Sequence, residues 1–299
     1  MSNPKSPAWY GGGLGAFMLP GANLADNGLF YVDDVNGLDT NTGLSPDNAV
    51  QTITYALSLC TNGDNNYIIV LQYGNNAAGE AAWPIPVNID NVQIIAAQSG
   101  SFMPTVNVVS LAAAVFQIAA HNVRLQGFCI RPGGANEGIT FAGSHGSLSI
   151  FDCLFDMGTY GIHDPAAGVG WGLEIARCWF GGNITTGGIY IQDDPGIVKI
   201  HDNIFNLYYD SGQIAIRVEN GANGMILDNR FAVHKTDTTG YAIYLEAATH
   251  RWMVDGNHAF TGEAVPPVNP YRDLNTSAQG TNHWGLNYMG NTPTYPVVV

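Results

Sequence analysis

The chain is poor in charge, and above all in positive charge. Only 11% of its 299 residues are Asp, Glu, Lys or Arg, and 10 basic side chains stand against 24 acidic ones. At a formal net charge of −14 and without a basic run, it lacks the counterion-releasing contacts that a phosphate backbone requires, so nucleic acid is not an expected partner. Cysteine is scarce as well: Cys60, Cys129, Cys153 and Cys178 form neither a disulfide-rich composition nor a Cys-x-x-Cys motif. Cys153 and Cys178 stand one repeat apart and could stack as thiols or pair. No stretch approaches the roughly 18 apolar residues of a helical membrane span, so no membrane is expected. The start, Met1 to Pro7, leads into glycine without the apolar core of a signal peptide, so export by that route is not expected. The Asn-x-Ser/Thr triplets at Asn183 and Asn275 are accordingly read as chance. Walker, Rossmann, serine-hydrolase and paired-cysteine zinc patterns are missing, and the eight histidines show no metal spacing. Neither a metal nor a cofactor is expected.

What the chain has is glycine, 37 residues of it, with 15 prolines, a composition that favours turn-rich β structure over helix. Within it a pattern returns about every 25 residues. The copies include Val123 to Ile130, Leu148 to Phe155, Leu173 to Phe180 and Val198 to Phe205, with weaker ones around Ile226 to Phe231 and Trp252 to Ala259. The anchors Phe128, Cys153, Cys178, Asn203, Asn229 and Asn257 are 25, 25, 25, 26 and 28 residues apart. A period of this size marks a solenoid, whose units bury apolar faces against their neighbours. A second segment recurs with it, a small residue before an isoleucine: Gly138-Ile139, Gly161-Ile162, Gly188-Ile189, Ala215-Ile216 and Ala242-Ile243. In a strand each Ile and its i+2 neighbour point inward while the residue between points out. The period thus predicts a parallel β coil with several short strands per rung, each bonded to its equivalent about 4.8 Å away, and with Ile200 and Phe205 on different sides of a corner. Asn203, Asn229 and Asn257 would occupy one corner and bond both their own backbone and the next rung. Just before the anchors, Gly127, Asp152, Arg177, Asp202, Asp228 and Gly256 would form an outward column in which Arg177 bridges adjacent acids.

The flanks divide the chain. Residues 1–28 read as an arm: Trp9, Tyr10 and Phe17 amid glycines suit packing on a partner or neighbouring subunit, against the plainer reading of a loose terminus. Residues 29–66 hold an opening strand at Leu29 to Val32, a turn-rich stretch and a helix over 49–60 with Ile53, Ala56, Leu57 and Cys60 on one side, suited to cover the solenoid's open end. The Asp and Asn residues of the turn-rich stretch lack EF-hand spacing and its terminal Glu. Residues 67–260 form the body, about seven or eight rungs at this period. Residues 261–299 leave the repeat, and Trp284, Tyr288 and Tyr295 would seal the last coil or contact another subunit.

Tyr31 to Gly43, followed by Thr52-Ile53 and Ala56-Leu57, resembles the opening coil and cap of right-handed parallel β-helix proteins, and the coils of 123–260 resemble the body of the pectate-lyase-like superfamily. The resemblance covers roughly residues 29–260. It implies an all-β fold, a right-handed single-stranded parallel β-helix with an N-terminal capping helix and extended terminal arms, the hand agreeing with the general preference of parallel crossovers. The superfamily holds polysaccharide lyases, glycoside hydrolases, phage tailspikes and non-catalytic virion proteins, and its virus-associated members are commonly homotrimers. It therefore implies a virion location, a homotrimer, capsid or tail proteins as partners, and cell-surface polysaccharide as a further one. Gln192-Asp193-Asp194 is the nearest counterpart of the acidic motifs of family enzymes; the longer signatures of the hydrolases and the calcium-binding acids of the lyases are not matched.

One surface could carry chemistry. The residues after the recurring isoleucines give an outward column of Thr140, His163, Tyr190, Arg217 and Tyr244, with Asp164, Asp193, Asp194, Glu219 and Glu246 just beyond. Glu219 and Glu246, each three residues after its Ile, would stand one rung apart, and carboxylates about 5 Å apart serve retaining glycoside hydrolysis when one pKa is raised. Asp193, Asp194, Glu219 and Glu246 are the acids for an enzyme; His163, Tyr190, Arg217 and Tyr244 are the candidates for glycan contact. The competing reading is a scaffold face used in subunit contact. A non-enzymatic virion component is the expected function, with a tailspike-like depolymerase or a non-catalytic glycan binder as the alternative.

Overall fold

The structure, a computed structural model, describes residues 28–73, 80, 83–97, 104, 106–110, 112–143, 145–165, 170–192, 196–207, 212–233, 240–261, 270–275, 280–290 and 292–298. Trp9, Tyr10 and Phe17 lie outside the described residues, as do Asp193 and Asp194.

The chain winds into a parallel β-solenoid of about seven turns whose rungs have three faces. The first face is a ten-stranded sheet that runs from Leu29–Asp33 through His145–Phe151, Gly170–Ala176 and Val198–His201 to His283–Trp284. Its inward column in the middle rungs is Leu125, Ile150, Ile175, Ile200, Ile226 and Val254, in register. The second and third faces belong to one 16-stranded sheet bent around a corner. Two long strands, Leu154–Asp164 and Trp179–Ile191, pass through both faces, and the register shifts between them at Phe155/Met157 and Gly158/Tyr160 mark the bend. Ile200 and Phe205 do sit on either side of a corner, the one in Val198–His201 and the other in Ile204–Leu207.

That corner explains the column before the anchors. Gly127, Asp152, Arg177, Asp202, Asp228 and Gly256 all have φ between 55° and 83°, the left-handed region. Glycine enters it freely, and Asp enters it more readily than bulkier residues. Arg177 is the exception, and it is compensated: its guanidinium donates to both carboxylate oxygens of Asp152, at 2.8 and 3.1 Å. Asp202, on its other side, pairs with His201 instead.

The anchor residues point inward from the corner. Asn203, Asn229 and Asn257 are fully buried, and a fourth amide, Asn287, continues them. Behind them Phe155, Phe180, Phe205 and Phe231 stack at centroid separations of 4.8, 4.6 and 5.0 Å. This stack accounts for the small residue before each isoleucine. A Cβ on Gly161 would lie 2.7 Å from the Phe180 ring, and one on Gly188 would lie 2.6 Å from Phe205. The isoleucines themselves, Ile139, Ile162, Ile189, Ile216 and Ile243, are buried in one column that ends at Tyr271.

The coil runs past 260, where the 25-residue pattern stops. His283–Trp284, Tyr288–Met289 and Tyr271–Asp273 each add a strand to one face, and Thr292–Pro293 folds back antiparallel on Tyr288–Met289. The repeat lengthens to 30 residues between Asn257 and Asn287, which takes it out of step with the shorter period. At the other end the helix is shorter than expected, Ile53–Leu59. Thr52 caps it by accepting from the Tyr55 amide at 3.0 Å, and Cys60 is already extended. Ile53, Ala56 and Leu57 are buried in the core, whereas Cys60 is only half-buried. The turn-rich stretch before it is held by its own acids: Asp33 accepts from the amides of Val35 and Asn36, and Asp39 from those of Gln51 and Thr52. Gly43 and Val50 then bond to the amide and carbonyl of Tyr31, so the outer edge of the first strand is covered. All four cysteines are free thiols.

Candidate functional surface on the third face

The candidate surface is the outer side of the third face, where Thr140, His163, Tyr190, Arg217 and Tyr244 occupy one register column as the alternation predicts. Arg272 extends it by a rung. Stacking at one residue per rung brings these side chains together. His163 lies flat on Tyr190, with centroids 5.2 Å apart and 2° between the planes. The Arg217 guanidinium covers the Tyr190 ring at 4.5 Å. Tyr160, one strand position before Gly161, leans on both His163 and Tyr190. Farther along, Arg272 lies over Tyr244 and Tyr241 at 5.2 and 5.4 Å and donates to the Tyr241 hydroxyl.

The acids around this row are committed to partners on it. His163 bonds Glu137 through Nδ1 at 3.4 Å and Gln192 through Nε2 at 2.8 Å. Gln192 donates onward to Glu219 at 3.1 Å, and Glu219 also accepts from the Tyr190 hydroxyl. Glu246 takes Nε and Nη2 of Arg217 at 2.6 and 2.5 Å. The Tyr190 hydrogen bond holds the Glu219 carboxyl below its ordinary range, and the His163 hydrogen bond does the same for Glu137. Burial would lower the His163 pKa, but the hydrogen bonds to Glu137 and Gln192 outweigh it and raise it. Tyr190 is pushed up by burial and by Glu219.

Three expectations change on this geometry. Glu219 and Glu246 are not a simple one-rung pair, because the register between their strands shifts after Val218 and Leu245, setting both Glu246 and Ala247 opposite Glu219. Asp164 is not in the acidic row at all. It takes the inward i+2 position, is 1% exposed and faces His145 at 3.8 Å. Tyr190 offers no open ring to a sugar: it is 7% exposed, with His163 and Arg217 over its ring. The row also recruits Glu137, Gln192, Tyr160 and Arg272, which the sequence pattern does not single out for it. Gln192 is legible as the outward neighbour of Ile191, and Glu137 as the residue before the small-Ile pair. Arg272 is hidden because Tyr271 replaces the isoleucine of its rung.

The assembly candidates of the last coil divide. Trp284 is half-buried, packs on Tyr271 at 5.9 Å and donates its indole N–H to Asp273 at 2.8 Å, so it belongs to the solenoid. Tyr288 is half-buried against His258, and Tyr295 is exposed. Among the described residues, no three His, Cys, Asp or Glu side chains gather as a metal site, and no helix is long and apolar enough to cross a membrane.

Compared with known proteins, the chain matches no family model, no curated protein and no solved structure.

Proposed function

We propose that this protein is a non-enzymatic structural component of a virus particle, a β-helical capsid decoration or appendage protein that works in assembly, stabilisation or attachment to a host surface. The reading supposes a homotrimer with side-by-side subunits and contacts to other capsid or tail proteins. The observation that carries the non-enzymatic part is the state of the third-face acids. Hydrolysis by a carboxyl pair needs one member held protonated by a raised pKa, whereas Glu137 and Glu219 are both pushed down by hydrogen bonds to the charged form. Glu246 is locked on Arg217. The virion part rests on the resemblance of the coils to phage β-helices, which is an analogy of fold.

The test is the oligomer and its association with particles. The full-length protein is expected to sediment as a trimer and to co-purify with assembled particles. A monomer that never joins a particle overturns the reading. So does release of reducing or unsaturated ends from a glycan panel that stops in Glu219→Gln or Asp194→Asn, which would establish the depolymerase alternative.

A further inference from the structure

An outward column of the first face changes character along the solenoid. It runs in register through Arg124, Ser149, Glu174 and Lys199 and continues as Met225, Met253 and His283. The first four are polar or charged, and the Lys199 ammonium is drawn back onto Glu174 at 3.1 Å, away from Met225. The last three are exposed, Met225 at 39% and Met253 at 48%, with His283 on the final strand of the sheet. Among the described residues, neither ring nitrogen of His283 has a hydrogen-bond partner. Asp255, also exposed, stands two positions beyond Met253 on the same side of its strand.

We infer that Met225, Met253 and His283 form a binding site for a soft monovalent metal ion of the Cu(I) and Ag(I) class. Exposed strand positions favour β-branched and aromatic residues, and Val or Ile would supply apolar surface as well as Met does. What the two methionines and the histidine have in common is a lone pair near the tip of the side chain, on a thioether sulfur or an imidazole nitrogen. Thioethers select Cu(I), and imidazole suits copper too, whereas Mg²⁺ and Ca²⁺ call for carboxylate, carbonyl and water oxygens. The rung spacing places the three donors within reach of one ion. Adjacent rungs lie about 4.8 Å apart, so the three backbone positions span about 9.6 Å. Methionine is unbranched with three rotatable bonds, so an ion seated over Met253 can be met by Met225 from one side and by the His283 ring from the other. The single positive charge is balanced locally by Asp255 and over the whole chain by the formal net charge of −14. This column lies on a different face from the Tyr190 row, and its occupation does not depend on the particle reading.

The experiment titrates the full-length protein, labelled with ¹³C at the methionine methyls, with Ag(I) as a redox-inert probe, and then measures Cu(I) affinity by competition with bicinchoninate under reducing conditions. Ag(I) is expected to shift the methyl signals of Met225 and Met253 and the ring signals of His283. Met157, exposed to a similar 37% but paired across the rungs with Asn183, should not move. Met225→Leu, Met253→Leu and His283→Ala are each expected to weaken Cu(I) binding about ten-fold or more, since even the partners behind metal ligands are worth about 10–100-fold. Met157→Leu is expected to bind as the parent does. So is Cys60→Ser, which removes the only thiol that is not fully buried. All the methionine changes keep an apolar side chain at an exposed position, so unchanged circular dichroism separates lost binding from misfolding. Unmoved Met225 and Met253 signals at equimolar Ag(I) overturn the inference. Binding that survives in the combined Met225→Leu, Met253→Leu variant, or that is lost in Cys60→Ser alone, overturns it too. Metal binding with no particle association would leave this site standing while the virion reading falls.

Discussion

The backbone and side-chain amides of Asn203 share a single acceptor on Asn229. The Oδ1 of Asn229 takes hydrogen bonds from both the backbone amide and the side-chain amide of Asn203, each at 3.0 Å. Asn229 repeats the arrangement on Asn257 at 3.1 and 3.0 Å, and Asn257 on Asn287 at 3.1 and 2.9 Å. Each side-chain amide also donates to a carbonyl of the preceding rung, Ile175, Ile200, Ile226 or Val254. An amide suits this place because one end only accepts and the other only donates, so the same residue satisfies the rungs on both sides.

Asn229→Ala should therefore cost more than a lost neutral hydrogen bond. It leaves the Asn203 backbone amide and the Ile200 carbonyl without these partners in a fully buried corner. At roughly 1–3 kcal/mol for each of the two buried groups left unsatisfied, the expected loss is about 2–6 kcal/mol. Urea unfolding monitored by circular dichroism checks it, and a change under about 1 kcal/mol would show that water repairs the corner.

The small-Ile column makes a second prediction. Gly188 is wedged between the Phe205 ring and the Ala215 carbonyl, which a Cβ on it would approach to 2.6 and 2.8 Å. Gly188→Ala forces the stacked rings to shift, an overpacking cost of about 1–3 kcal/mol. The neighbouring rung already carries Ala215, so the reverse change Ala215→Gly should only leave a small void and loosen the backbone, by about 1 kcal/mol. Thermal unfolding of the two variants side by side would test the ordering.

The architecture was legible because solenoid packing repeats it: the 25-residue period, the Ile column and the corner Asn residues each report one buried position copied from rung to rung. Asp164 was not legible, because a carboxylate in the place of Ile191 or Val218 breaks the pattern by sequence alone. The left-handed φ of Asp152, Asp202 and Asp228 was hidden for a related reason. Aspartate at a corner reads as surface charge, and only the alternation with Gly127 and Gly256 reveals a backbone demand. The Tyr190 row was located by alternation, but its chemistry was not, because pairing among Glu137, His163, Gln192 and Glu219 depends on side-chain reach across rungs.

That pairing makes stability depend on pH in two opposed directions. Glu137 and Glu219 have folded pKa values below the ordinary 4.5, so their contribution is present above about that pH and is lost as pH falls through the lower folded values. His163 has a folded pKa above the ordinary 6.5, so its contribution is full below that pH and is lost as pH rises through the higher folded value. The cluster should thus stabilise most between about 4.5 and 6.5. Because Glu219 is partly exposed, the effect on Tm should be small and weakened by salt. Glu137→Gln is expected to lower the His163 titration midpoint seen by NMR, and an unchanged midpoint would show that the 3.4 Å contact carries no charge coupling.

The asparagine column can be extended backwards, since Cys178 and Cys153 hold its preceding positions. The Cys178 amide already donates to Asn203 Oδ1 at 2.9 Å, as each Asn amide does to the next. The Cys178 thiol points to the Ile150 carbonyl at 3.5 Å, the place where an Asn side-chain amide would donate. Burial raises the Cys178 pKa well above its ordinary value, so the thiol stays protonated and serves only as a weak donor. Cys178→Asn should therefore be accepted without disruption and should raise stability by about 1 kcal/mol, one net hydrogen bond, whereas Cys178→Ala should lower it by creating a void. The comparison also bears on reactivity. Burial pushes Cys60 to about 12 and Cys129 to about 11, so a thiol-reactive dye at about pH 8 should label the native protein slowly and all four cysteines only after unfolding. Fast native labelling that vanishes in Cys178→Asn would mean that this corner opens, and that the amides beyond it, starting with Asn203, are what keeps the rest of the column shut.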